Sequence, residues 1–267
     1  MSPFWKGLRG RTWNTTLAFW INRACYRLFP AQAKHWLAYP FDLHLRRFYV
    51  PYLGGWTDGG GILWALLHYE NPDFEISWIE RLASGKVGID LGAHRGYWLL
   101  LHRRKIPSDA LIFAFEPYLP NIPYLAQNLY ENGVKNVAIL QIAASAGPGK
   151  VSMGVSTGPF GEMGGTAHLV QEGGEYVAYA VKVADWLSAL NLPRVDWIKM
   201  DIEGAEVAAL EGALPLLERY KPDLWIEVHG TFKALQPLLE RANYRVAGEK
   251  WYEAPREGMG HIWAVPA

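Results

Sequence analysis

The sequence predicts an α/β protein built on a doubly wound, mostly parallel sheet with an antiparallel last strand, preceded by an N-terminal helical extension. Short apolar runs alternate with segments of helical periodicity through most of the chain. A glycine-containing turn follows the first buried run, and the last two runs can pair as an antiparallel hairpin. A ligand site is therefore expected at the carboxyl ends of the parallel strands.

The chain has 267 residues, half of them hydrophobic, which is enough for one large domain with an extension. We place the boundary in the glycine-rich segment 51–61, so that residues 1–60 form the extension and residues 61–267 the main domain. The single cysteine, Cys25, excludes an intramolecular disulfide and is typical of a reducing, cytoplasmic location.

The net charge is zero, but the charges are unevenly distributed. Residues 1–50 hold eight lysines and arginines against one acid, Asp42, whereas the remainder holds 18 against 25 acids. The basic N-terminal part of the chain permits contact with an anionic surface. Because the main domain has no broad basic surface, we expect no nucleic acid partner.

A first amphipathic helix is predicted from Thr12 to Phe29. Its apolar residues recur at helical spacing and are Trp13, Leu17, Trp20, Ile21, Ala24 and Leu28. Asn22 and Arg23 interrupt it too early for a bilayer span. We expect it to pack on the main domain as a cap, with peripheral membrane contact as the alternative. A second helix is predicted from Ala33 to Phe48, and short helices from Ile62 to Tyr69 and from Ile76 to Leu82.

The run KVGIDLGAHRGYWLLL, residues 86–101, changes midway from a buried strand to a helix. Asp90 and Gly92 stand at the turn between them. A dinucleotide-binding turn has a glycine where Asp90 stands, and an acid there suits a cation such as the α-amino group of S-adenosylmethionine. The turn is therefore predicted to bind this cofactor.

Two further strands add to the predicted cofactor site. The strand Leu111–Phe115 ends in Glu116, where a carboxylate can accept hydrogen bonds from ribose hydroxyls. A third strand, 137–142, is followed by small residues including Ala143, which leave room for a flat ring. The glycine-rich segment 154–174 predicts a hairpin with loose turns or, alternatively, a lid over the substrate.

Acids and a histidine end the next two buried strands. Asp201 follows one strand, and Glu227 and His229 close the other, so these three are the candidate catalytic residues. Capping of the next helix is the alternative for Asp201. The three groups can also bind Mg, Mn or Zn, but we expect no metal. Glu203 and Glu206 are expected to stabilise the N-terminus of the following helix.

Four pieces of the chain resemble the FkbM-like S-adenosylmethionine-dependent methyltransferases of the class I Rossmann-like fold. They are IDLGAHRG (89–96), FAFEPYLPN (113–121), IKMDIEGAE (198–206) and WIEVHG (225–230). His94 stands where the family usually has Asn. With the strand-end residue Ala143 included, the expected cofactor-binding residues are Asp90, Gly92, Ala93, His94, Gly96, Glu116, Pro117 and Ala143.

The resemblance implies O-methylation of a hydroxyl on a sugar, lipid or secondary metabolite, with a small-molecule or glycan acceptor as partner. Two other classes stay open from the residues: a Rossmann-like oxidoreductase, which the acid at Asp90 disfavours, and a catalytically silent binding or scaffold protein. The sequence does not indicate an oligomeric state.

Overall fold

The computed structural model describes residues 5–28, 41–70, 85–155, 167–170 and 173–267. The strands are β1 (Arg9–Gly10), β2 (Phe48–Val50), β3 (Gly55–Thr57), β4 (Val87–Leu91), β5 (Leu111–Phe115), β6 (Val137–Leu140), β7 (Ile142–Ala144), β8 (Gly149–Val155), β9 (Ala167–Val170), β10 (Tyr176–Val181), β11 (Trp197–Met200), β12 (Asp223–His229), β13 (Tyr244–Trp251) and β14 (Met259–Pro266). The helices are α1 (Trp13–Leu28), α2 (Gly59–Glu70), α3 (Tyr97–His102), α4 (Ile122–Glu131), α5 (Val183–Ser188), α6 (Glu206–Tyr220) and α7 (Phe232–Arg241).

The central sheet has seven strands in the order β13-β14-β12-β11-β4-β5-β6. Strands β6, β5, β4, β11 and β12 are parallel, while β14 pairs antiparallel with both β12 and β13. The strand order reverses between β4 and β11. The structure thus confirms the predicted class I Rossmann-like, doubly wound sheet with its antiparallel last strand.

Apolar side chains cover both faces of this sheet, as a largely parallel sheet requires. On one face, Leu210 of α6 and Leu235 of α7 belong to the core that includes β4, β11 and β12. On the other face, Trp98 of α3 packs 5.7 Å from Trp197 of β11, measured between ring centroids. The site can therefore form only at an edge of the sheet.

The parallel strands bring four functional candidates to the same edge. Asp90 lies near the end of β4, Glu116 follows β5, Asp201 follows β11, and His229 ends β12. These strands pair directly with one another, in the order β12, β11, β4, β5. Residues predicted to bind the cofactor and residues predicted to act in catalysis therefore lie along one line.

The predicted third strand ends earlier than expected, because the chain changes its pairing partner at the exposed residue Gln141. β6 pairs with β5, whereas β7 pairs parallel with β10 in a separate sheet of order β7-β10-β8-β9. Ala143 lies in β7, opposite Ala180, and is 4% exposed. The residue predicted to follow a strand of the main sheet is thus inside a strand of the smaller one.

The glycine-rich segment forms a hairpin in its described part. β8 and β9 pair antiparallel, with Gly154 opposite His168, which confirms the hairpin prediction. Residues 156–166 and 171–172, where the alternative of a lid falls, lie outside the described residues.

The second predicted helix is wrong in its described part. Residues 41–47 form turns and bends, and Phe48–Val50 is a strand that pairs antiparallel with β1 and β3. The Asp42 carboxylate accepts a hydrogen bond from the backbone N–H of His44 at 3.0 Å, which favours a turn. Aromatic and β-branched residues then favour a strand. Residues 33–40 lie outside the described part.

Helix α2, Gly59–Glu70, confirms the predicted helix Ile62–Tyr69, but it begins earlier, inside the segment predicted to be a glycine-rich connection. The division between residues 1–60 and residues 61–267 stays a prediction, and it would cut this helix. The predicted helix 76–82 lies outside the described residues.

Helix α1 agrees with the prediction over its described residues, but it packs through an unexpected face. Thr15, Ala18, Phe19 and Asn22 are buried, and Phe19 joins a small core that includes Phe48. This face is opposite the apolar stripe formed by Trp13, Leu17, Trp20, Ile21, Ala24 and Leu28, which was expected to pack on the main domain. In the part of the chain that the structure describes, no helix has the length and apolar character needed to cross a membrane.

Candidate active site

The turn after β4 brings the backbone into contact with the ends of two neighbouring strands. Gly92 has φ +82°, and a Cβ atom there would lie 1.8 Å from the carbonyl oxygen of Asp201. The N–H groups of Gly92 and Ala93 donate to the carbonyl oxygen of Phe115 at 2.9 and 3.0 Å. A side chain at position 92 would therefore separate β4 from β11.

The rest of this turn is also tightly constrained. His94 has φ 50° and Gly96 has φ +80°, and a Cβ atom at Gly96 would lie 2.7 Å from Leu125 Cδ1. Burial lowers the pKa of His94 to about 4, so its imidazole is neutral at pH 7. The turn thus carries no charge at His94.

The Glu116 carboxylate is fixed beside this turn by N–H donors. The backbone N–H of His94 donates to Oε2 at 2.6 Å, while the backbone N–H of Tyr118 and the side-chain amide of Asn121 donate to Oε1 at 2.9 and 3.3 Å. Burial raises the pKa of Glu116 to about 7. Pro117, the half-buried next residue, has no N–H to offer.

A buried lysine lies between the ends of β4 and β11, and sequence reasoning missed it. Lys199 is 2% exposed. Its Nζ donates to the carbonyl oxygen of Gly92 at 2.8 Å and lies 3.2 Å from Asp90 Oδ1 and 3.5 Å from Asp201 Oδ2. Burial alone would lower the pKa of Lys199, but the two carboxylates outweigh it and raise the pKa. A lysine in the middle of the apolar strand WIKM was the available signal.

The Lys199 partner Asp90 is fully buried. Burial raises the pKa of Asp90, and the neighbouring ammonium of Lys199 opposes this rise. Because Asp90 already pairs with a cation, its contact with the amino group of the cofactor stays a prediction.

The structure brings the three predicted catalytic residues together. One possible metal-ligand atom from each of Asp201, Glu227 and His229 lies within 4.8 Å of the other two, and all three residues are half-buried. This spacing would allow a divalent ion to bind, so the expected absence of a metal stays a prediction. Burial alone would raise the pKa of Asp201, but the charge of Lys199 and nearby histidines hold it below its ordinary value. Asp201 is therefore ionised at pH 7.

The His229 ring lies between two carboxylates of the turn and helix that follow β11. Its Nδ1 is 3.0 Å from Glu206 Oε1, and its Nε2 is 3.3 Å from Glu203 Oε2. Burial alone would lower the pKa of His229, but these carboxylates raise it to about 9. His229 is thus a cation at pH 7. Glu206 also accepts from the backbone N–H of Gly204 at 2.8 Å, in keeping with its expected role at the helix N-terminus.

Glu203 is better suited to proton transfer than its predicted role suggests. It has φ 53°, which is unusual for a residue other than glycine, and the turn directs its carboxylate towards His229. Burial, with a contribution from the negative charge of Asp201, raises the pKa of Glu203 to about 7. Among the described acids at this edge, Glu203 and Glu116 have a pKa raised to about neutral pH.

Comparison of the sequence with protein families identifies one family whose model covers the strand ends that form this edge. The model of the Methyltransferase FkbM domain matches residues 90–246, more than half of the chain. The chain belongs to the FkbM methyltransferase family. It is a methyltransferase that uses S-adenosylmethionine, and the oxidoreductase alternative is excluded.

Two curated relatives carry methyltransferase names. Methyltransferase 1 of Beauveria bassiana is 26% identical over 193 residues, which cover 62% of this chain and 75% of the relative. Methyltransferase sdnD of Sordaria araneosa is 27% identical over 214 residues, which cover 66% of this chain and 80% of the relative.

Solved methyltransferase structures also align with this chain. Methyltransferase FkbM from Methylobacillus flagellatus is 18% identical, with a TM-score of 0.47, covering 78% of this chain. The alignment spans 55% of that protein's chain, just over half. A SAM-dependent methyltransferase from Aquifex aeolicus is 14% identical, with a TM-score of 0.44, covering 74% of this chain and 90% of the other.

The residues at the carboxyl edge fit S-adenosylmethionine. The glycines at positions 92 and 96 adopt positive φ values and pack closely against Asp201 and Leu125, which gives the turn its tight shape. Glu116 offers a fixed carboxylate of the kind that binds ribose hydroxyls. Acids outnumber cations beside the turn, which suits a positively charged sulfonium.

A buried polar network ties this FkbM turn to a residue outside the matched region. Asp58, at the start of α2, is fully buried and accepts hydrogen bonds from Arg95 Nη1 at 2.7 Å and from the Tyr97 hydroxyl at 2.9 Å. Arg95 Nε donates to Asn121 Oδ1 at 3.3 Å. Since Asn121 in turn binds Glu116, the N-terminal part of the chain is connected to the predicted ribose-binding acid.

The same network continues to the segment before β2. Arg47 donates to Asn128 Oδ1 at 2.7 Å and to Glu131 Oε2 at 2.7 Å, and Arg11 donates to Glu131 Oε1 at 2.8 Å. The signal in the sequence was an aspartate in the glycine-rich segment GGWTDGGG. Composition alone could not identify its partners Arg95 and Tyr97, because they lie 37 and 39 residues away.

We expect Asp58→Asn to destabilise the protein by about 3–5 kcal/mol, because the buried guanidinium of Arg95 loses its counter-ion. Urea unfolding followed by circular dichroism measures this change. The matched control is Glu257→Gln, whose ion pair with Lys233 is exposed and should contribute little. S-adenosylhomocysteine should also bind Asp58→Asn more weakly under conditions where it stays folded. Equal unfolding midpoints for the two variants would contradict the assigned role of Asp58.

Proposed function

We propose that the protein transfers the methyl group of S-adenosylmethionine to a hydroxyl oxygen of a small-molecule or glycan acceptor. The observation that carries this proposal is the group of acids around His229, at the strand ends directly beside the glycine turn. A hydroxyl acceptor has a proton to lose during the reaction, and these groups can receive it. Methyl transfer to an acceptor that has no proton to lose would not need these acids as proton acceptors.

The cofactor side of the site is assigned to the ends of the strands β4 and β5. Glu116 would hold the ribose, and the backbone of the turn would allow the methionine part to approach closely. The residues proposed for this side are Asp90, Gly92, Ala93, His94, Gly96, Glu116 and Pro117. The part predicted for Ala143 stays a prediction, because Ala143 lies inside a strand of the smaller sheet. When bound, the cofactor supplies a methyl group already activated by its sulfonium.

The acceptor side is assigned to the ends of β11 and β12. The hydroxyl oxygen forms a bond to the methyl carbon as the carbon–sulfur bond breaks, and the hydroxyl proton must move to a base. The protein aligns the two reactants and excludes water. Asp201 stays ionised beside Lys199 and can accept a hydrogen bond that orients the hydroxyl.

Glu203 is the best proton acceptor at this edge. A base is most effective when its pKa lies near the working pH, and the pKa of Glu203 is raised to about 7. The charged His229, 3.3 Å away, supports the ionised form of Glu203 before the proton arrives. Glu227 Oε1 lies 4.0 Å from His229 Nε2 and is a further acid on the acceptor side.

The acceptor can be identified by a direct screen. Incubation with S-adenosylmethionine that carries a deuterated methyl group, over a panel of sugars, lipids and phenols, labels the product. Fragmentation by mass spectrometry then assigns the label to oxygen, nitrogen or carbon. Label on nitrogen or carbon would contradict the proposed hydroxyl acceptor. The single cysteine suits action in a reducing compartment such as the cytoplasm.

Glu203→Gln should lower kcat by about 100-fold to 10,000-fold, because the variant keeps the shape of the side chain but cannot take the proton. In the unmodified protein, kcat should rise as pH increases through about 7, where Glu203 loses its proton. In the variant this rise should be absent. Glu218→Gln on the exposed side of α6 is the control. A normal kcat for Glu203→Gln would return the role of base to Asp201.

Glu116→Gln should weaken binding of S-adenosylhomocysteine by about 1.5–3 kcal/mol, because the ribose hydroxyls lose a charged acceptor. The folded-state pKa of Glu116 is raised to about 7, so the acid is protonated below that pH. Affinity should therefore fall as pH decreases from about 8 to 6. Calorimetry across this range should give a flat profile for the variant. An unchanged affinity would remove Glu116 from the site.

A further inference from the structure

The outward face of α1 carries an apolar stripe that lies largely outside the core, although Trp20 packs against the small core around Phe19. Trp13 is 74% exposed, Leu17 42% and Leu28 71%, and Ala24 is also exposed. Trp20 and Ile21, between them, are half-buried. These residues recur at intervals of three and four, so they share one side of the helix. Large apolar side chains grouped on an exposed face indicate a contact surface.

The opposite face fixes the orientation of this helix. Phe19 packs 5.7 Å from Phe48 and 6.0 Å from Trp5, measured between ring centroids. Asn22 is fully buried, and its side chain binds the backbone of Phe41 through two hydrogen bonds, at 2.5 and 3.0 Å. Rotation of α1 to bury the stripe would break these contacts, so the stripe is held outward.

The surroundings of the stripe are basic. Arg27 is exposed and lies beside the stripe on the helix surface, about 40° from Trp13. Lys6 and Arg9, before the helix, are exposed as well. Arg11 and Arg47, in the same part of the chain, pair with Glu131 and therefore add little to this charge. Exposed apolar side chains with Arg27 beside them favour a ligand that is both apolar and anionic.

We propose that the outward face of α1 docks on the surface of a bilayer that contains anionic phospholipids. Trp13 and Leu28, at the two ends of the helix, enter the boundary between headgroups and acyl chains, and the basic residues contact lipid phosphates. Charge argues against a second copy of the chain as the occupant, because a two-fold contact would bring the same cations together. The proposal does not depend on the identity of the methyl acceptor.

The test uses the full chain and vesicle flotation. We expect binding to vesicles of phosphatidylcholine and phosphatidylglycerol in equal parts, release by high salt, and little binding to phosphatidylcholine alone. The double variant Trp13→Ser, Leu28→Ser should lose binding. The control is Tyr130→Ser, Leu190→Ser, which alters two exposed apolar residues elsewhere and should bind normally.

A second pair of variants tests the charge. Arg27→Glu should weaken binding to the anionic vesicles about tenfold or more, because it exchanges an attraction for a repulsion. Arg241→Glu, which also alters an exposed arginine in the last turn of a helix, should have no such effect. Binding of S-adenosylhomocysteine should be the same in all four variants, which separates this test from that of the active site.

Three results would overturn the proposal. One is equal binding to neutral and anionic vesicles. Another is equal loss of binding in the stripe variant and its control. The third is the absence of vesicle binding together with a dimer, measured by light scattering, that becomes a monomer in the stripe variant. This result would make the stripe an interface between copies of the chain.

Discussion

The carboxyl edge of the sheet depends on the buried charge of Lys199. An ammonium group inside a protein is costly unless it is paired and hydrogen-bonded. Here Asp90, Asp201 and the carbonyl oxygen of Gly92 surround it. The glycine at position 92 is required for this arrangement, because a side chain there would collide with the end of β11. One cation thus sets the positions of the turn and of two acids.

This arrangement gives the two sides of the site different electrostatic properties. On the β5 side, Glu116 is held by neutral N–H donors in a buried position, which makes its charge sensitive to pH near 7. On the β12 side, His229 is a cation between carboxylates. Acids outnumber cations among the described residues of this edge. The acids are Asp90, Glu116, Asp201, Glu203, Glu206 and Glu227, and the cations are Lys199 and His229. A positively charged methyl donor and a hydroxyl that must lose a proton both suit this surface.

The sequence was sufficient for the sheet and for most of the edge, because these depend on local patterns. Apolar runs mark strands such as β4 and β11, and the residue after each run falls at the carboxyl edge by the geometry of parallel strands. The strand Leu111–Phe115 was predicted with its observed bounds. Patterns of this kind are carried by a few consecutive residues.

Features that depend on contacts between distant parts of the chain could not be predicted. The partners of Lys199 and Asp58 lie on other elements, and the strand 48–50 forms because it pairs with β1 and β3. Ala143 belongs to a second sheet because the chain changes partner after β6. Helical periodicity identified the apolar stripe of α1, but periodicity does not determine whether the stripe faces the core or the solvent.

The central claim is that one edge of the sheet holds the cofactor on the β5 side and the acceptor on the β12 side. A crystal structure with bound S-adenosylhomocysteine tests it most directly. The account predicts that the ribose hydroxyls lie within hydrogen-bonding distance of the Glu116 carboxylate, and that the sulfur faces Asp201 and Glu203. Ligand density away from Glu116, or with the sulfur turned from these two acids, would contradict the account.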